Sequence, residues 1–292
     1  MDLMTTAEVA DYLRLKERTV YEMASRRQIP CTRATGKLLF SRKLIERWVE
    51  GRTELPLGYD AAPPPIYAGS SDPLLEWALR ESGSGLAVLA NGSRNGLEHL
   101  AQGQAVMAGL HIRDPNGGSY NVETVRREIP YPDVVAIRWA EREQGLLVAP
   151  GNPLGIQSLE DLPGRQPRIL LRPEGTGSRA LFDALIQEHG LEQAALNLLV
   201  REAPTEGDLA TEIAEDEADC GLGIAAVAGR YGLDFIPLDI REAFDLVMRR
   251  RDYFEAPVQK LFAIARSEAF LKRAESYRGY DLQRLGEVTY NG

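Results

Sequence analysis

The 292-residue sequence contains few of the residues that build disulfide frameworks and metal sites: two cysteines and three histidines. Cys31 and Cys220 lie far apart, so they predict neither a disulfide framework nor a metal site. No apolar run approaches the roughly 20 residues that a membrane span needs, and the first residues lack an export-signal pattern. We therefore expect a cytoplasmic protein with no membrane partner.

Motifs of the common catalytic classes are also absent. The sequence has no GxSxG elbow, no HExxH or CxxC pair and no GxxxxGK[ST] loop. His99, His111 and His189 form no recognisable triad pattern with a serine and an acid. We therefore expect a protein that is not an enzyme and requires no cofactor.

The net charge of −9 is unevenly distributed along the chain. Residues 1–52 contain 11 Lys and Arg against 7 Asp and Glu, a balance of +4. Residues 53–292 contain 23 against 36, a balance of −13. A small basic segment before an acidic body suggests that the N-terminal segment alone meets a polyanion.

The N-terminal segment has the pattern of a helix-turn-helix. Thr5 and Glu8 form a capping-box pattern that opens a helix through Leu13, and a second helix follows over Glu17–Arg27. A hairpin is predicted over residues 32–40, and Ser41 is predicted to cap a third helix. The inward positions of the first two helices are predicted to be Ala7, Val9, Ala10, Leu13, Val20, Met23 and Ala24.

This order of elements, with the motif TVYEMASRRQIP at residues 19–30, resembles the excisionase-type winged helix of the MerR superfamily. The resemblance covers about residues 3–50 and implies binding of double-stranded DNA. Because so small a domain alone should bind DNA weakly, a homodimer on two half-sites is expected. Lys16 departs from the Ser or Thr cap usual in that family. By matching positions, the DNA-binding residues are expected to be Lys16, Arg18, Thr19, Tyr21, Arg26, Arg27, Lys37 and Arg42.

From Ile66 onward, short apolar strands alternate with amphipathic helices, which predicts an α/β domain with mainly parallel strands. Residues 53–65, which end in three prolines, are predicted to be a linker between this domain and a DNA-binding domain at 1–52. Separate strands are predicted at 134–140 and 145–149, and again at 235–238 and 244–248.

One stretch of the body combines a strand, a glycine-broken turn and a helix. Ile169–Leu171 predicts the strand, and the turn carries Gly175, Thr176, Gly177 and Ser178. A helix start offers free N–H groups and partial positive charge, so this turn can hold an anion. Thr176 or Ser178 could instead serve only as a helix cap.

Two earlier strands also end in serine-bearing turns that start helices, at Ser70-Ser71 and at Ser93. Ligands of open α/β sheets lie beyond the carboxyl ends of the strands. A pocket shared by these turns is therefore a better interpretation than three unrelated caps.

At this point the body resembles the type 2 periplasmic-binding-protein fold, as seen in molybdate-related regulators and beside molybdopterin-biosynthesis proteins. The resemblance covers about residues 66–270. It implies lobe one at about 66–140 and 240–292, lobe two at about 146–236, and a ligand cleft between them. The segments that carry it are 70–75, 109–111, 142–153, 175–179 and 219–224.

The resemblance implies molybdate or tungstate as the effector, while sulfate and molybdopterin-related or organic ligands stay open. Arg179 can either pair with the anion or bind Glu174 or Asp183, and Tyr120 with Asn121 is interpreted as a lid. No direct metal-cation ligands are expected. The expected ligand-binding residues are Ser70, Ser71, Ser93, His111, Thr176, Gly177, Ser178 and Arg179. For His111 the alternative is a structural role, which is the more frequent one for a lone histidine at a strand end.

Together these features predict an α/β chain: an N-terminal winged helix-turn-helix followed by a two-lobed, type 2 periplasmic-binding-protein-like domain at 66–292. The predicted function is a ligand-responsive, one-component transcriptional regulator. The alternative is a cytoplasmic oxyanion- or molybdopterin-related binding protein whose helix-turn-helix docks a protein partner.

Overall fold

The structure, a computed structural model, describes residues 2–33, 36–50, 52, 62–114 and 119–292. The chain divides into two compact units, residues 1–61 and 62–292. Most of the predicted linker, residues 53–61, lies outside the described residues, as do residues 34–35 of the predicted hairpin and residues 115–118.

The first unit is a small helical unit with a two-stranded sheet. Strand β1 pairs antiparallel with β2, and an isolated antiparallel bridge joins Thr32 to Leu39 at the predicted hairpin. The elements are β1 (Leu3–Met4), α1 (Thr6–Tyr12), α2 (Glu17–Ser25), β2 (Phe40–Ser41) and α3 (Arg42–Glu50).

The start of α1 is set by the predicted capping box. The Thr5 backbone N–H donates to Glu8 Oε2 at 2.6 Å, and the Glu8 N–H donates to Thr5 Oγ1 at 3.3 Å. Thr6, Val9 and Ala10, at i, i+3 and i+4, are buried, whereas Ala7 is exposed. The prediction that Ala7 faces inward is therefore wrong, because Ala7 lies about 100° around the helix from the buried row.

The second unit contains the remaining elements. The strands are β3 (Ile66–Gly69), β4 (Ala87–Leu89), β5 (Met107–Leu110), β6 (Val134–Val148), β7 (Ile169–Leu171), β8 (Leu198–Glu202), β9 (Cys220–Ile224), β10 (Asp234–Arg249), β11 (Tyr280–Asp281) and β12 (Val288–Asn291). The helices are α4 (Pro73–Glu81), α5 (Ser93–Ala101), α6 (Val122–Glu128), α7 (Leu162–Arg165), α8 (Gly177–Glu188), α9 (Glu206–Ala214), α10 (Ala225–Tyr231), α11 (Ala256–Ala265) and α12 (Glu268–Ser276).

All these strands belong to one mixed sheet with the order β4-β3-β5-β10-β6-β9-β7-β8, and β11 and β12 also pair with β6. The pairs of β3 with β4 and β5, and of β7 with β8 and β9, are parallel. Strands β6 and β10 are antiparallel partners over almost their whole length. They therefore run through both lobes and join them.

The prediction of separate strands at 134–140 and 145–149, and at 235–238 and 244–248, is wrong. Each pair forms one long strand, β6 of 15 residues and β10 of 16. Register shifts in β10, between Pro237 and Ile240 and between Phe244 and Asp245, bend it without ending it. Polar residues inside β6 and β10 interrupt the apolar pattern, so the sequence predicts two short strands in place of each long one.

Helices cover both faces of the sheet in each lobe. In lobe one, α4, α11 and α12 pack on one face around Trp139 and Phe244, and α5 and α6 pack on the other. In lobe two, α8 packs on one face through Leu181, Phe182, Leu185 and Ile186, as predicted, and α9 and α10 pack on the opposite face. The carboxyl ends of the parallel strands are left to face the cleft.

A close contact between two glycines holds α5 against β3. A Cβ atom at Gly96 would lie 2.6 Å from the backbone nitrogen of Gly69, and a Cβ at Gly69 would lie 2.8 Å from the nitrogen of Gly109. Gly69 also has a φ of +118°, which favours glycine. These contacts place the first turn of α5 beside the end of β3.

We expect Gly96→Ala to lower the free energy of unfolding by about 1–3 kcal/mol, because backbone atoms of β3 must move to admit the methyl group. Gly164→Ala in α7 is the matched control, since a Cβ there has no neighbour within 4 Å. Urea denaturation of the two variants measures the difference. Equal stability of Gly96→Ala and the unaltered protein would show that α5 can shift freely.

Candidate functional site

Three lobe-one residues meet where β3, α5 and β5 converge. Ser70 follows β3, Ser93 begins α5 and His111 follows β5; the Oγ atoms of the two serines are 2.8 Å apart. The His111 backbone N–H donates to Ser93 Oγ at 3.1 Å. One of the two serine hydroxyls donates its proton to the other. The second hydroxyl can therefore donate its own proton to a ligand.

The start of α8 in lobe two faces this cluster. A Cβ at Gly177 would lie 2.7 Å from His111 Nδ1, and one at Gly92 would lie 3.9 Å from Thr176 Cγ2. Thr176 caps α8 by accepting the Arg179 N–H at 3.4 Å. The N-terminal turns of α5 and α8 therefore approach each other across the cleft, and only glycine fits at position 177.

Beneath these turns, the long strands carry a buried charged network. The Arg142 guanidinium of β6 pairs with Glu242 of β10 and, at 3.1 Å, with Asp72. The second Glu242 oxygen accepts from Gln144 Nε2 at 2.8 Å and lies 2.8 Å from His111 Nδ1. The network therefore ties both crossover strands to the lobe-one cluster.

Asp72 links the same network to the start of α4 and to Tyr280 of β11. Its Oδ1 caps α4 by accepting the Leu75 N–H at 2.8 Å, and its Oδ2 accepts the Tyr280 hydroxyl at 2.6 Å. Asp72, Arg142 and Glu242 are each almost fully buried.

Burial alone would raise the pKa of Glu242, but Arg142 and His111 lower it to about 2. Burial would lower the pKa of Arg142, and the carboxylates of Glu242 and Asp72 raise it above its ordinary value. Burial, followed by the negative charge of Glu242, raises the pKa of Tyr120 to about 12. The Arg142–Glu242 pair is therefore ionised at neutral pH.

Glu206, the first residue of α9, is a further carboxylate at the cleft. It is 8% exposed and lines a cavity of about 210 Å³ with Ser71, Ala90 and Tyr231, so both lobes contribute to the walls. Within the described part of the chain, its carboxylate has no hydrogen-bond or ion-pair partner. Burial raises the pKa of Glu206, against the opposing effect of Arg142.

The structure brings most of the predicted ligand-binding residues to the cleft. Ser70, Ser93, His111, Thr176 and Gly177 meet across the lobes, and Ser71 lines the cavity beside them. Ser178 is 2% exposed, directly after Gly177. Their role in binding stays a prediction.

Arg179 and Asn121 have structural partners. Arg179 pairs with Asp183 at 3.1 Å and Glu202 at 3.3 Å, which matches the second of its two predicted alternatives. Asn121 is fully buried; it accepts the Ile112 N–H at 2.7 Å and donates to Asp245 at 2.7 Å. Its interpretation as part of a lid is therefore wrong, because those bonds hold it inside lobe one.

Sequence reasoning missed Arg142, Gln144, Glu206 and Glu242. For Arg142 and Glu242, the available signal was the presence of charged residues inside strands that are otherwise apolar, since a buried charge needs a partner. The identity of that partner was hidden, because Arg142 and Glu242 are 100 positions apart in the chain.

In the first unit, α2 presents a polar face opposite Val20 and Ala24. Arg18 is largely exposed and pairs with Glu22 at 3.1 Å, and Tyr21 is 53% exposed. Thr19 is half-buried, and Lys16, Arg26 and Arg27 are exposed around the ends of α2. This face offers cations and hydroxyl groups to a partner.

Lys37 and Arg42 lie outside α2. Lys37 is exposed at the predicted hairpin tip, and Arg42 pairs with Asp2 at 2.7 Å. Lys16 precedes α2 without a side-chain capping bond, as its departure from the family pattern implied. The roles of all eight residues in DNA binding stay a prediction.

Among the described residues, no helix is long and apolar enough to cross a membrane, and no group of three His, Cys, Asp or Glu side chains could hold a metal ion. A model of the PBP superfamily domain matches residues 76–266, and a model of a helix-turn-helix domain matches residues 3–53. Neither model describes an enzyme.

The chain is 25% identical over 300 aligned positions to YvgK, an uncharacterized protein of Bacillus subtilis (strain 168), covering 97% of this chain and 96% of that protein. PEB3 with bound L-phospholactate aligns with a TM-score of 0.52 and 17% identity, covering 74% of this chain and 98% of its own. A cysteine mutant of Corynebacterium glutamicum OxyR, bound to H₂O₂, aligns with a TM-score of 0.52 and 14% identity, covering 93% and 91%. The predicted helix-turn-helix and type 2 binding-protein fold are confirmed.

We expect Arg142→Leu to lower the free energy of unfolding by about 3–5 kcal/mol, because Asp72 and Glu242 would then be buried charges without their cation. Arg284→Leu removes an exposed arginine paired with Glu287 and Glu141, so its effect should be small. Urea denaturation compares the two. Similar losses in both variants would contradict a central role for the buried network.

Proposed function

Because this chain belongs to the PBP superfamily and carries a helix-turn-helix domain before the matched region, we propose that it is a one-component, ligand-responsive transcriptional regulator. The first unit binds operator DNA, and the cleft of the second binds a small effector. The protein acts in the cytoplasm as a homodimer on two half-sites. The observation that carries this proposal is the presence of a DNA-reading module and a two-lobed binding domain in one chain.

The effector we propose is a small oxyanion, with molybdate or tungstate as the leading candidates. The start of α8 and the hydroxyl pair of Ser70 and Ser93 converge on the cleft and supply dipoles that suit an anion. The structural neighbour PEB3 holds an anionic, phosphorylated ligand in the same fold.

The protonation state of Glu206 affects anion binding. An ionised carboxylate beside an oxyanion is unfavourable, whereas a protonated one can donate a hydrogen bond. Burial already raises the pKa of Glu206, and an anion raises it further. Anion binding is therefore accompanied by proton uptake at Glu206.

Signal transfer follows from the contacts between the lobes. Arg113 of lobe one pairs with Glu188 of α8 at 2.9 Å, and Glu76 of α4 pairs with Arg230 of α10 at 3.7 Å. A ligand that prefers the arrangement of the lobes held by these contacts shifts the population toward it. In the dimer, that shift changes the spacing or orientation of the two DNA-binding domains.

We expect the protein to bind duplex DNA from its own upstream region with strong salt dependence, and molybdate or tungstate to change the affinity. Arg18→Ala should weaken this binding at least tenfold, because it removes a largely exposed cation from α2. Arg165→Ala, on the exposed surface of lobe two, is the control. Fluorescence anisotropy measures both.

The outcome separates the regulator from a plain binding protein. An absence of salt-sensitive DNA binding would contradict the regulator and favour an oxyanion-binding protein whose first unit docks a protein. DNA binding that never responds to any oxyanion would contradict only the effector assignment.

We expect the affinity for molybdate to fall as the pH rises above the pKa of Glu206 in the free protein, by up to about tenfold per pH unit, because each bound anion takes up as much as one proton. Glu206→Gln mimics the protonated side chain and should remove this dependence. Glu215→Gln, an exposed change at the end of the same helix, should keep it. Calorimetric titrations in buffers of different ionisation enthalpy count the protons. Tight binding with no proton uptake in the unaltered protein would exclude this role of Glu206.

A further inference from the structure

A second cavity, of about 630 Å³, lies between the lobes and shares Arg230, but none of its other lining residues, with the Glu206 cavity. Its walls come from α4 and the α12 region of lobe one and from the α10–β10 turn of lobe two. Four arginines line it: Arg80, Arg230, Arg273 and Arg278. We propose that this arginine pocket binds a small molecule that carries two or more linked phosphoryl groups.

The charge of the arginine pocket is opposite to that of the surrounding domain. Residues 53–292 have a balance of −13, yet four of their 23 cationic residues lie in this one cavity. The carboxylate among the lining residues, Asp234, accepts the Gly151 N–H at 2.8 Å. Four guanidinium groups repel one another, and a polyanion would relieve that repulsion.

The arginines of the pocket also lack the close carboxylate pairs that several other arginines of this domain have. Arg168 and Arg179 each contact two or more carboxylates. Within the described residues, Arg80, Arg273 and Arg278 form no ion pair, and Arg230 has only the 3.7 Å contact with Glu76. Their charges are therefore available to a ligand.

One of the four side chains stacks on a neighbouring ring, and the stem of a second lies beside the backbone of α10. The Arg273 guanidinium lies over the Tyr277 ring, 4.9 Å from its centroid, and its buried Nε has no partner among the described residues. The stem of Arg278 lies beside Gly229, where an added Cβ atom would be 4.0 Å from Arg278 Cδ. The stacking of Arg273 restricts its side chain before binding, which reduces the entropy cost of capturing an anion.

The chemistry of guanidinium favours phosphoryl oxygens, because its planar donors match them in pairs. A single phosphate fills a small part of a cavity within the size range of sites for drug-sized ligands. Four guanidinium groups require three or four negative charges for neutralisation. A linked di- or triphosphate, with or without a nucleoside, meets both conditions.

The test uses the full chain and calorimetric titration with tripolyphosphate, ATP, pyrophosphate and inorganic phosphate. We expect affinity to rise with the number of linked phosphoryl groups and to fall with added salt. Stronger binding of ATP than of tripolyphosphate would identify a nucleotide as the natural class, and equal binding would identify the phosphoryl chain alone.

Arg80→Gln/Arg278→Gln should weaken tripolyphosphate binding at least tenfold, while the melting temperature stays unchanged because both side chains are exposed. Arg165→Gln/Arg266→Gln is the matched control, since these arginines are exposed, lie on the same unit and outside the cavity, and form no ion pair among the described residues. Unchanged binding in the first variant, or no binding of any linked phosphate, would overturn the proposal. So would a loss of duplex-DNA binding alone, which would make the cavity a DNA contact.

Discussion

The buried ion pair between Arg142 and Glu242 is the interaction on which the ligand domain depends. It joins the two strands that pass through both lobes, and through Asp72 and His111 it reaches the helix start and the turn that border the cleft. Charges buried to this degree are costly unless each is paired, so few arrangements of these strands are permitted. The position of the cleft follows from that restriction.

The cleft combines neutral donors with one carboxylate that lacks a partner among the described residues. Hydroxyl groups and helix starts can hold an anion without a net positive charge, which explains how an acidic domain could bind one. Under the proposed function, anion binding would be accompanied by proton uptake at Glu206, because burial already raises the pKa of that carboxyl. Selectivity in such a cleft depends on the protonation of the ligand and the protein together, as well as on size.

Charge is separated along this chain in a way that suits several anionic partners. The first unit is basic, the second is acidic overall, and the second unit gathers part of its positive charge in the arginine pocket. An acidic surface repels nucleic acid, so net charge favours contact of DNA with the first unit over the second. A small polyanion can still reach the arginines, because screening confines the surrounding repulsion to short range.

Local signals in the sequence determined the helix-turn-helix, the turns that begin α4, α5 and α8, and the α/β class, because capping residues and apolar periodicity act within a few positions. Only the tertiary structure decided the rest. Residues 134–148 and 234–249 form two unbroken strands, because the polar side chains of each strand pair with those of the other. Arg142 pairs with Glu242, which lies 100 positions away in the sequence. In the sequence, Glu206 has the position of an ordinary acidic residue in the first turn of a helix. The structure shows that its side chain is buried, which raises its pKa. Pairing and desolvation depend on distant neighbours, which no local pattern contains.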